Sequence, residues 1–239
     1  MSSIHITFCT HEEAREFSGP SFLLRKSLQF HWENNGFQDF NDFLNSLTSR
    51  KRKAIKKERH QAKSFWNSKG EILRLKGSNI ESSHWDSFWE FYQDTGKRKW
   101  GYPYLTREFF TIIHETMSDQ ILLVLAMEND KPIAGALNFL GKDTLFGRYW
   151  GASKYYPCLH YELCYYQAIE YALENGLKRI EAGAQGEHKL SRGYLPSFVY
   201  SLHWFLDENF EKAVGDYLQK EGEVVSNNRD TMLKESPFK

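Results

Sequence analysis

Apolar and polar residues alternate in several short stretches of the chain, which is the period of strands that bury one face in a sheet. These stretches predict strands over 4–8, 22–32, 71–75, 133–140, 144–152, 178–185 and 202–205, and the apolar run 121–127 predicts a buried strand. Apolar spacings of three and four predict helices over 40–47, 50–63, 85–92, 106–117, 159–174 and 210–218. Thr10 and Glu13 form a capping-box pattern that indicates a further helix. The aromatic face of the 85–92 helix is expected in the core.

The strand predicted at 178–185 runs into a polar loop that contains five different ionisable groups within eight residues. Gly186 breaks the strand, and the loop then holds Glu187, His188, Lys189, Arg192 and Tyr194. A strand end that opens into a polar loop is where α/β folds usually place their chemistry. The alternative is a solvated loop whose charges pair with one another, for instance Arg192 with Glu187 across one helical turn.

The overall composition of the chain excludes few classes of function. The chain has 31 Lys and Arg against 31 Asp and Glu, so net charge neither predicts nor excludes an anionic partner. Its three cysteines show no metal spacing and cannot all pair, which favours a reducing cytoplasm. The longest apolar run is too short to span a bilayer, and the first residues lack the features of a signal peptide. We therefore expect a soluble cytoplasmic protein.

Positive charge is concentrated in the helix predicted at 50–63. Glu58 is its only acid, whereas its cations are Arg50, Lys51, Arg52, Lys53, Lys56, Lys57, Arg59 and Lys63. One interpretation is an ordinary solvated helix face. The other is a surface that binds the phosphates of a tRNA, a nucleotide tail or an anionic lipid-linked precursor, with Arg52 and Lys56 among the contacts. Like charges one turn apart destabilise an unpartnered helix, which favours the second interpretation.

Several long segments together carry a resemblance to a known family. They are SRKRKAIKKER at 49–59, DTGKRKWGYPYLTREFF at 94–110, IAGALNF at 133–139, LFGRYWGA at 145–152, LHYELCYYQAIEYA at 159–172 and EAGAQGEHKLSRGYLP at 181–196. In these segments the chain closely resembles the bacterial predicted N-acyltransferases labelled peptidoglycan biosynthesis/recognition, which are related to the FemAB aminoacyltransferases. The resemblance implies a GNAT-like α/β fold: a mixed, mainly antiparallel central sheet flanked by helices. Members usually contain two such lobes, so we expect residues 1–36 to be a remnant of a preceding lobe and 37–239 to be the acyltransferase domain.

The family also implies a reaction class, the transfer of an acyl or aminoacyl group from an activated donor to an amine. The amine of a peptidoglycan-type precursor is the acceptor that the family label suggests, and no tightly bound cofactor or metal is expected. GNAT enzymes that use acyl-CoA usually carry a glycine-rich loop after the fourth core strand, but Ser153–Cys158 contains no glycine. The donor therefore stays open between acyl-CoA and aminoacyl-tRNA. A non-catalytic module that binds RNA or cell-wall fragments is the alternative.

Amine acylation requires a base, a proton donor and groups that hold the donor. Glu187 or His188 is the predicted base, and Tyr194 or Tyr149 is the predicted acid. Glu162 shares a helix face with aromatic residues and is either a catalytic carboxylate or a structural one. His160, in the first helical turn, is placed to bind an anion or has a structural role. The predicted substrate- or donor-binding residues are Gln185, Lys189, Arg192, Arg148, Tyr149, Trp150, His160, Arg52 and Lys56.

Overall fold

The computed structural model describes residues 1–19, 21–63, 70–99 and 101–239, and these form two compact units. The first unit contains residues 1–31 and 184–237, and the second contains 32–183 and 238–239. The chain therefore passes from the first unit to the second after residue 31 and returns to the first unit after residue 183. The assignment of 1–36 to the remnant of another lobe stays a prediction.

Strands within each unit pair mainly in antiparallel fashion, as expected for the predicted fold class. Along the chain they are β1 Ser3–Cys9, β2 Leu23–Glu33, β3 Gly70–Leu75, β4 Ile121–Glu128, β5 Lys131–Leu140, β6 Thr144–Ala152, β7 Arg179–Glu181 and β8 Leu195–Phe205. In the first unit β8 pairs with β1 on one side and with β2 on the other, both antiparallel. In the second unit the strand order is β7-β6-β5-β4-β3, and β6 with β7 is its parallel pair.

Helices flank these strands. They are α1 His11–Phe17, α2 Phe40–Ser46, α3 Ser49–Ala62, α4 Ser82–Lys99, α5 Arg107–Met117, α6 Leu159–Tyr161, α7 Gln167–Glu174 and α8 Glu208–Lys234. A π-helical turn, Glu162–Tyr166, joins α6 to α7, so the helix predicted at 159–174 carries a local insertion. The predicted capping box of α1 is confirmed, with Thr10 and Glu13 bonding reciprocally. Across the described ranges, no helix combines the length and apolar character needed to cross a membrane.

The core of the second unit forms around β4, in which all eight residues are buried. β4 is apolar on both faces because it lies between β3 and β5 in the sheet and is covered by helices. The α4 aromatic face packs against it, with Trp85, Phe88, Phe91 and Tyr92 at most 2% exposed. The prediction that these rings belong to the core is confirmed.

Several elements differ in length from their sequence predictions. β7 ends at Glu181 rather than at residue 185, because Gly183 (φ +79°) and Gly186 (φ +98°) adopt left-handed backbone conformations that a strand cannot contain. β8 begins seven residues earlier than predicted, since both of its edges are paired. α8 continues to Lys234, whereas the sequence predicted a helix only to residue 218. The later part of α8 is polar and only Leu218 of the helix is buried, so no apolar spacing indicated the extension.

Backbone packs directly on backbone where α4 crosses β6. A Cβ built on Gly151 lies 2.3 Å from the carbonyl oxygen of Phe91 and 2.5 Å from its carbonyl carbon. Backbone atoms cannot rotate away as a side chain can, so only glycine fits at this crossing.

We therefore expect Gly151→Ala to lower the free energy of unfolding by about 3 kcal/mol through overpacking. Gly222→Ala in α8 is the matched control, because no atom lies within 4 Å of its added Cβ. The control should raise stability by about 0.5–1 kcal/mol through helix propensity. Urea unfolding of both variants measures the difference, and equal stabilities would contradict the packing argument.

Candidate functional site

A cavity of about 600 Å³ lies where β6 ends and α6 begins, within the second unit. Its lining residues are Asp94, Arg98, Trp150, Ala152, Ser153, Lys154, Tyr155, Tyr156, Pro157, Cys158, Leu159, His160 and Tyr161. The Trp150 and His160 rings meet edge to face with their centroids 5.0 Å apart, so the structure brings these two predicted residues together. The volume falls within the range of small-molecule sites.

The cavity wall formed by residues 153–157 is anchored to the end of β4. Glu128 is 7% exposed and accepts hydrogen bonds from the Lys154 ammonium and the Tyr156 hydroxyl. These bonds raise the pKa of Lys154 and of Tyr156, so both groups keep their protons at neutral pH. The Ser153 amide also donates to the Ile133 carbonyl at 2.9 Å. A segment without glycine is therefore fixed by one side chain and one backbone carbonyl of the neighbouring β4–β5 hairpin.

Tyr149 lies on the opposite face of β6 from Trp150, because side chains alternate along a strand. Its ring packs against Tyr92 with centroids 5.2 Å apart, and its hydroxyl bonds to that of Tyr104. Burial and the Tyr104 hydrogen bond raise the pKa of Tyr149 well above its ordinary value. The Tyr149 hydroxyl therefore stays protonated at neutral pH, and it does not line the cavity; its predicted role as the acid stays a prediction.

The pairing of β6 with β7 ends beside a β-bulge in β6, and the half-buried carboxylate of Glu181 lies at this point. Their parallel pairing stops at Phe146 and Glu181, while β6 continues to Ala152. On the other edge of β6 the register with β5 shifts, so exposed Arg148 is the extra residue. Burial raises the pKa of Glu181, and the charges of Arg179 and Arg148 offset only part of the shift. A carboxyl group with a raised pKa is suited to general-base chemistry.

Sequence patterns missed Glu181 because it reads as an ordinary polar position in an alternating strand. The usable signal was its place at the end of a strand just before two glycines. Asp94 and Arg98, which line the cavity, were also missed, since their hydrogen-bonded pair (2.8 Å) is typical of any helix surface. Within the described ranges, no group of His, Cys, Asp or Glu is arranged to hold a metal ion.

The polar loop of the first unit divides into an exposed and a buried set. Gln185, Glu187 and His188 are exposed. Lys189 and Arg192 are 6% and 5% exposed, and Tyr194 is completely buried. The Lys189 ammonium lies 5.7 Å from the Phe30 ring centre, and Arg192 Nη1 donates to the His188 carbonyl at 2.6 Å. The roles predicted for these residues in catalysis and donor binding stay predictions.

Glu162 forms a buried ion pair with the basic helix α3. Its carboxylate is 0% exposed and accepts from Arg59 Nε at 3.0 Å and Arg59 Nη2 at 2.8 Å. Glu170 accepts from Arg59 Nη1 at 2.6 Å, and Gln167 donates to Glu162 at 2.8 Å. Burial lowers the pKa of Arg59, but the hydrogen bonds to Glu170 and Glu162 outweigh it and raise the pKa above its ordinary value. A structural carboxylate makes contacts of this kind, and the catalytic role predicted for Glu162 stays a prediction.

The outward face of α3 is mainly cationic, although Ala54 and Gln61 are also exposed. Ile55 and Ala62 turn inward and are buried, whereas Arg50, Lys53, Lys56, Lys57 and His60 are exposed and Arg52 is half-buried. The one acid of the helix, Glu58, accepts a hydrogen bond from the Tyr166 hydroxyl and so is directed inward. Arg52 and Lys56 therefore belong to a continuous positive surface rather than to a pocket.

The model of the FemAB-like family, described as peptidoglycan biosynthesis/recognition, matches residues 1–239. The chain belongs to the FemAB-like family. This confirms the family predicted from the sequence. No match is found among the curated proteins.

Solved structures confirm the fold of this FemAB-like chain. A conserved protein of unknown function from Bacteroides thetaiotaomicron aligns with a TM-score of 0.57 at 14% identity, covering 86% of this chain and 69% of that one. FemX aligns with a TM-score of 0.54 at 12% identity, covering 79% of this chain and 64% of that one. L-PGS from Bacillus licheniformis aligns with a TM-score of 0.53 at 9% identity, covering 82% of this chain and 64% of that one. The chain thus spans slightly less than two thirds of FemX and L-PGS, and identities this low establish fold alone.

We expect Arg59→Met to lower the free energy of unfolding by about 3–5 kcal/mol, because it leaves Glu162 as a buried, uncompensated charge. Arg74→Met is the matched control, since its pair with Glu174 (2.9 Å) is partly exposed on both sides. The control should cost less than about 1 kcal/mol. Denaturant unfolding checks both values, and a small loss for Arg59→Met would remove the structural role of the pair.

Proposed function

We propose that the protein is an N-acyltransferase that moves an acyl or aminoacyl group from an activated donor to an amine. Its match to the FemAB-like family along the whole chain carries this proposal. The geometry at the separation of β6 and β7 supports it, because a half-buried carboxylate with a raised pKa stands beside an extended strand edge. The proposed acceptor is the amine of a peptidoglycan-type precursor, as the family description suggests.

The reaction requires the acceptor ammonium to lose a proton before its nitrogen can attack. Glu181 is the proposed base in the second unit, and Glu187 and His188 are the bases proposed in the first. The nitrogen then bonds to the acyl carbon and loses a second proton to solvent, and the bond from that carbon to the donor sulfur or oxygen breaks. The leaving group takes a proton, for which Tyr149 and Tyr194 are the proposed donors; the raised pKa keeps Tyr149 protonated.

Aminoacyl-tRNA is the donor that the charge pattern favours over acyl-CoA. The segment Ser153–Cys158 lacks the glycines that let a backbone loop enclose a pyrophosphate. The cationic face of α3, in contrast, suits a longer phosphate backbone. Arg52 and Lys56 belong to that face, whereas Trp150 and His160 belong to the cavity.

A second candidate is a non-catalytic module that binds RNA or cell-wall fragments. The exposure of Glu187 and His188 favours it, because a solvated base gains little from its surroundings. It predicts binding without turnover.

Transfer is expected when the purified protein is incubated with charged tRNAs or acyl-CoAs and an amine acceptor. Glu187→Ala and His188→Ala should each reduce the rate if the polar loop supplies the base. Full activity in both variants would remove that assignment. Binding of either donor without product would favour the non-catalytic module.

Glu181→Gln should lower the transfer rate by about 10²–10⁴-fold, the usual contribution of a general base. A base acts in its deprotonated form, so the wild-type rate should rise as pH increases through the raised pKa of Glu181. In the Gln variant this acidic limb should disappear. Glu71→Gln, at an exposed position of β3, is the control and should keep the wild-type pH profile. An unchanged acidic limb in Glu181→Gln would exclude this base.

A further inference from the structure

A groove of about 660 Å³ lies in the first unit, between β2 and the long helix α8. None of the residues proposed for acyl transfer lines it. We infer that this groove binds a short extended peptide that ends in a free carboxylate. It adds a peptide-binding site to the proposed transfer activity.

The groove follows the outer edge of a strand. The strand order in the first unit is β1-β8-β2, so β2 is an outer strand of that unit. Leu23 and Leu24 both line the groove, and consecutive side chains of a strand point to opposite faces, so the groove runs along the edge of β2. In an antiparallel pair only every second residue bonds to the neighbour, so the other backbone groups of β2 point away from β8. An extended peptide is the ligand that pairs with such an edge.

A row of hydrogen-bonding side chains on α8 forms the facing wall. Gln219, Glu223 and Asn227 line the groove at intervals of four residues, and all three are exposed. Their side chains form no hydrogen bond or ion pair in the part of the chain that the structure describes. Four helical residues rise about 6 Å, and two residues of an extended chain advance about 6.6–6.8 Å. The row therefore matches the repeat of amide groups along one edge of an extended peptide.

Two glycines inside α8 leave room for the side chains of that peptide. Gly215 and Gly222 both line the groove, and their spacing of seven places them on one side of the helix. Glycine within a helix is less stable than alanine. Close packing does not require it here, because a Cβ on Gly222 meets no atom within 4 Å and one on Gly215 lies an ordinary 3.5 Å from Leu23. The missing side chains instead open space beside Leu218, an apolar residue of the groove.

The groove is about as long as five extended residues. Leu23 lies beside Gly215, and Arg25 pairs with Glu221 at 2.7 Å, so β2 and α8 run in the same direction. From Gly215 to Asn227 the helix rises about 18 Å. At about 3.4 Å per residue, five extended residues span nearly that distance.

An available positive charge lies at the end of the groove near Asn227. Lys26 follows Arg25 along β2 and lines the groove there. Arg25 is already paired with Glu221 through two hydrogen bonds of 2.8 and 2.7 Å. Lys26 is exposed, its ammonium lies 5.9 Å from the Phe198 ring centre, and it forms no ion pair within the described ranges. A carboxylate at the end of the peptide is the group that complements this cation.

Binding of two five-residue peptides to the full chain tests this site by calorimetry. The probes are acetyl-Ala-Val-Ala-Val-Ala with a free carboxylate and the same peptide with an amidated end. The wild type should bind the free acid about fivefold more tightly, the upper range for an exposed ion pair. Lys26→Met should remove this difference, whereas Lys220→Met, at an exposed α8 position outside the groove, should keep it. No binding of either peptide to the wild type, or an unchanged difference in Lys26→Met, would overturn the proposal.

Filling the groove provides a second test. Gly222→Leu should weaken the free-acid peptide by about tenfold or more, because the leucine occupies the space of a ligand side chain. Ala213→Leu is the matched control, since Ala213 is exposed on α8 and does not line the groove. Neither change introduces a poor helix former. Equal affinities of the two variants would contradict the proposal, and self-association of the wild type that Gly222→Leu abolishes would assign the groove to a second copy instead.

Removing part of the polar row tests the contacts to the peptide backbone. Glu223→Ala with Asn227→Ala should weaken the free-acid peptide by about tenfold, the combined effect of two hydrogen bonds. Asp216→Ala with Asn228→Ala removes one acid and one asparagine from exposed α8 positions outside the groove and should leave the affinity unchanged. The same affinity in both double variants would exclude the row from binding and overturn the proposed peptide site.

Discussion

The buried pairing of Arg59 with Glu162 and Glu170 is the contact on which the arrangement of the second unit depends. It joins the basic helix α3 to the helical segment 159–174, whose first turn lines the cavity. A guanidinium at 16% side-chain exposure forms a planar fork that satisfies two carboxylates at once, which a lysine could not do. The Phe40 ring packs against the Arg59 guanidinium, whose Cζ lies 4.5 Å from the ring centre. One cation of α3 thereby fixes the helix, while Arg50, Lys53, Lys56 and Lys57 stay exposed.

The contrast between the ion-paired Arg59 and the exposed cations of α3 explains how a chain with zero formal charge presents a strongly positive surface. Acids elsewhere balance the total, but the face of α3 has no acid beyond Glu58, which turns toward Tyr166. Local segregation of charge therefore says more about a partner than the net value does. The cavity beside it is lined by aromatic rings as well as by three charged side chains, so the two surfaces offer different kinds of contact.

Sequence reasoning succeeded where one local rule determined the outcome. The capping box at Thr10, the aromatic face of α4 and the basic helix each follow from spacing within a few residues. It failed where partners lie far away in the chain: Arg59 and Glu162 are 103 residues apart, and β8 owes its length to pairing on two edges. Glu181 belongs to this second group, because burial raises its pKa, whereas its polar place in an alternating strand predicts exposure.

The π-helical turn Glu162–Tyr166 has a consequence for comparing this protein with its relatives. A π turn adds one residue to an α-helix, so positions on either side of it are rotated relative to an uninterrupted helix. Gln167 reaches Glu162 five positions back, a spacing that a regular α-helix would direct elsewhere. An alignment that threads a relative without this insertion straight through the segment will equate His160 with a residue on a different side of its helix. Structural superposition, with a one-residue gap inside the turn, is the safer basis for transferring residue roles.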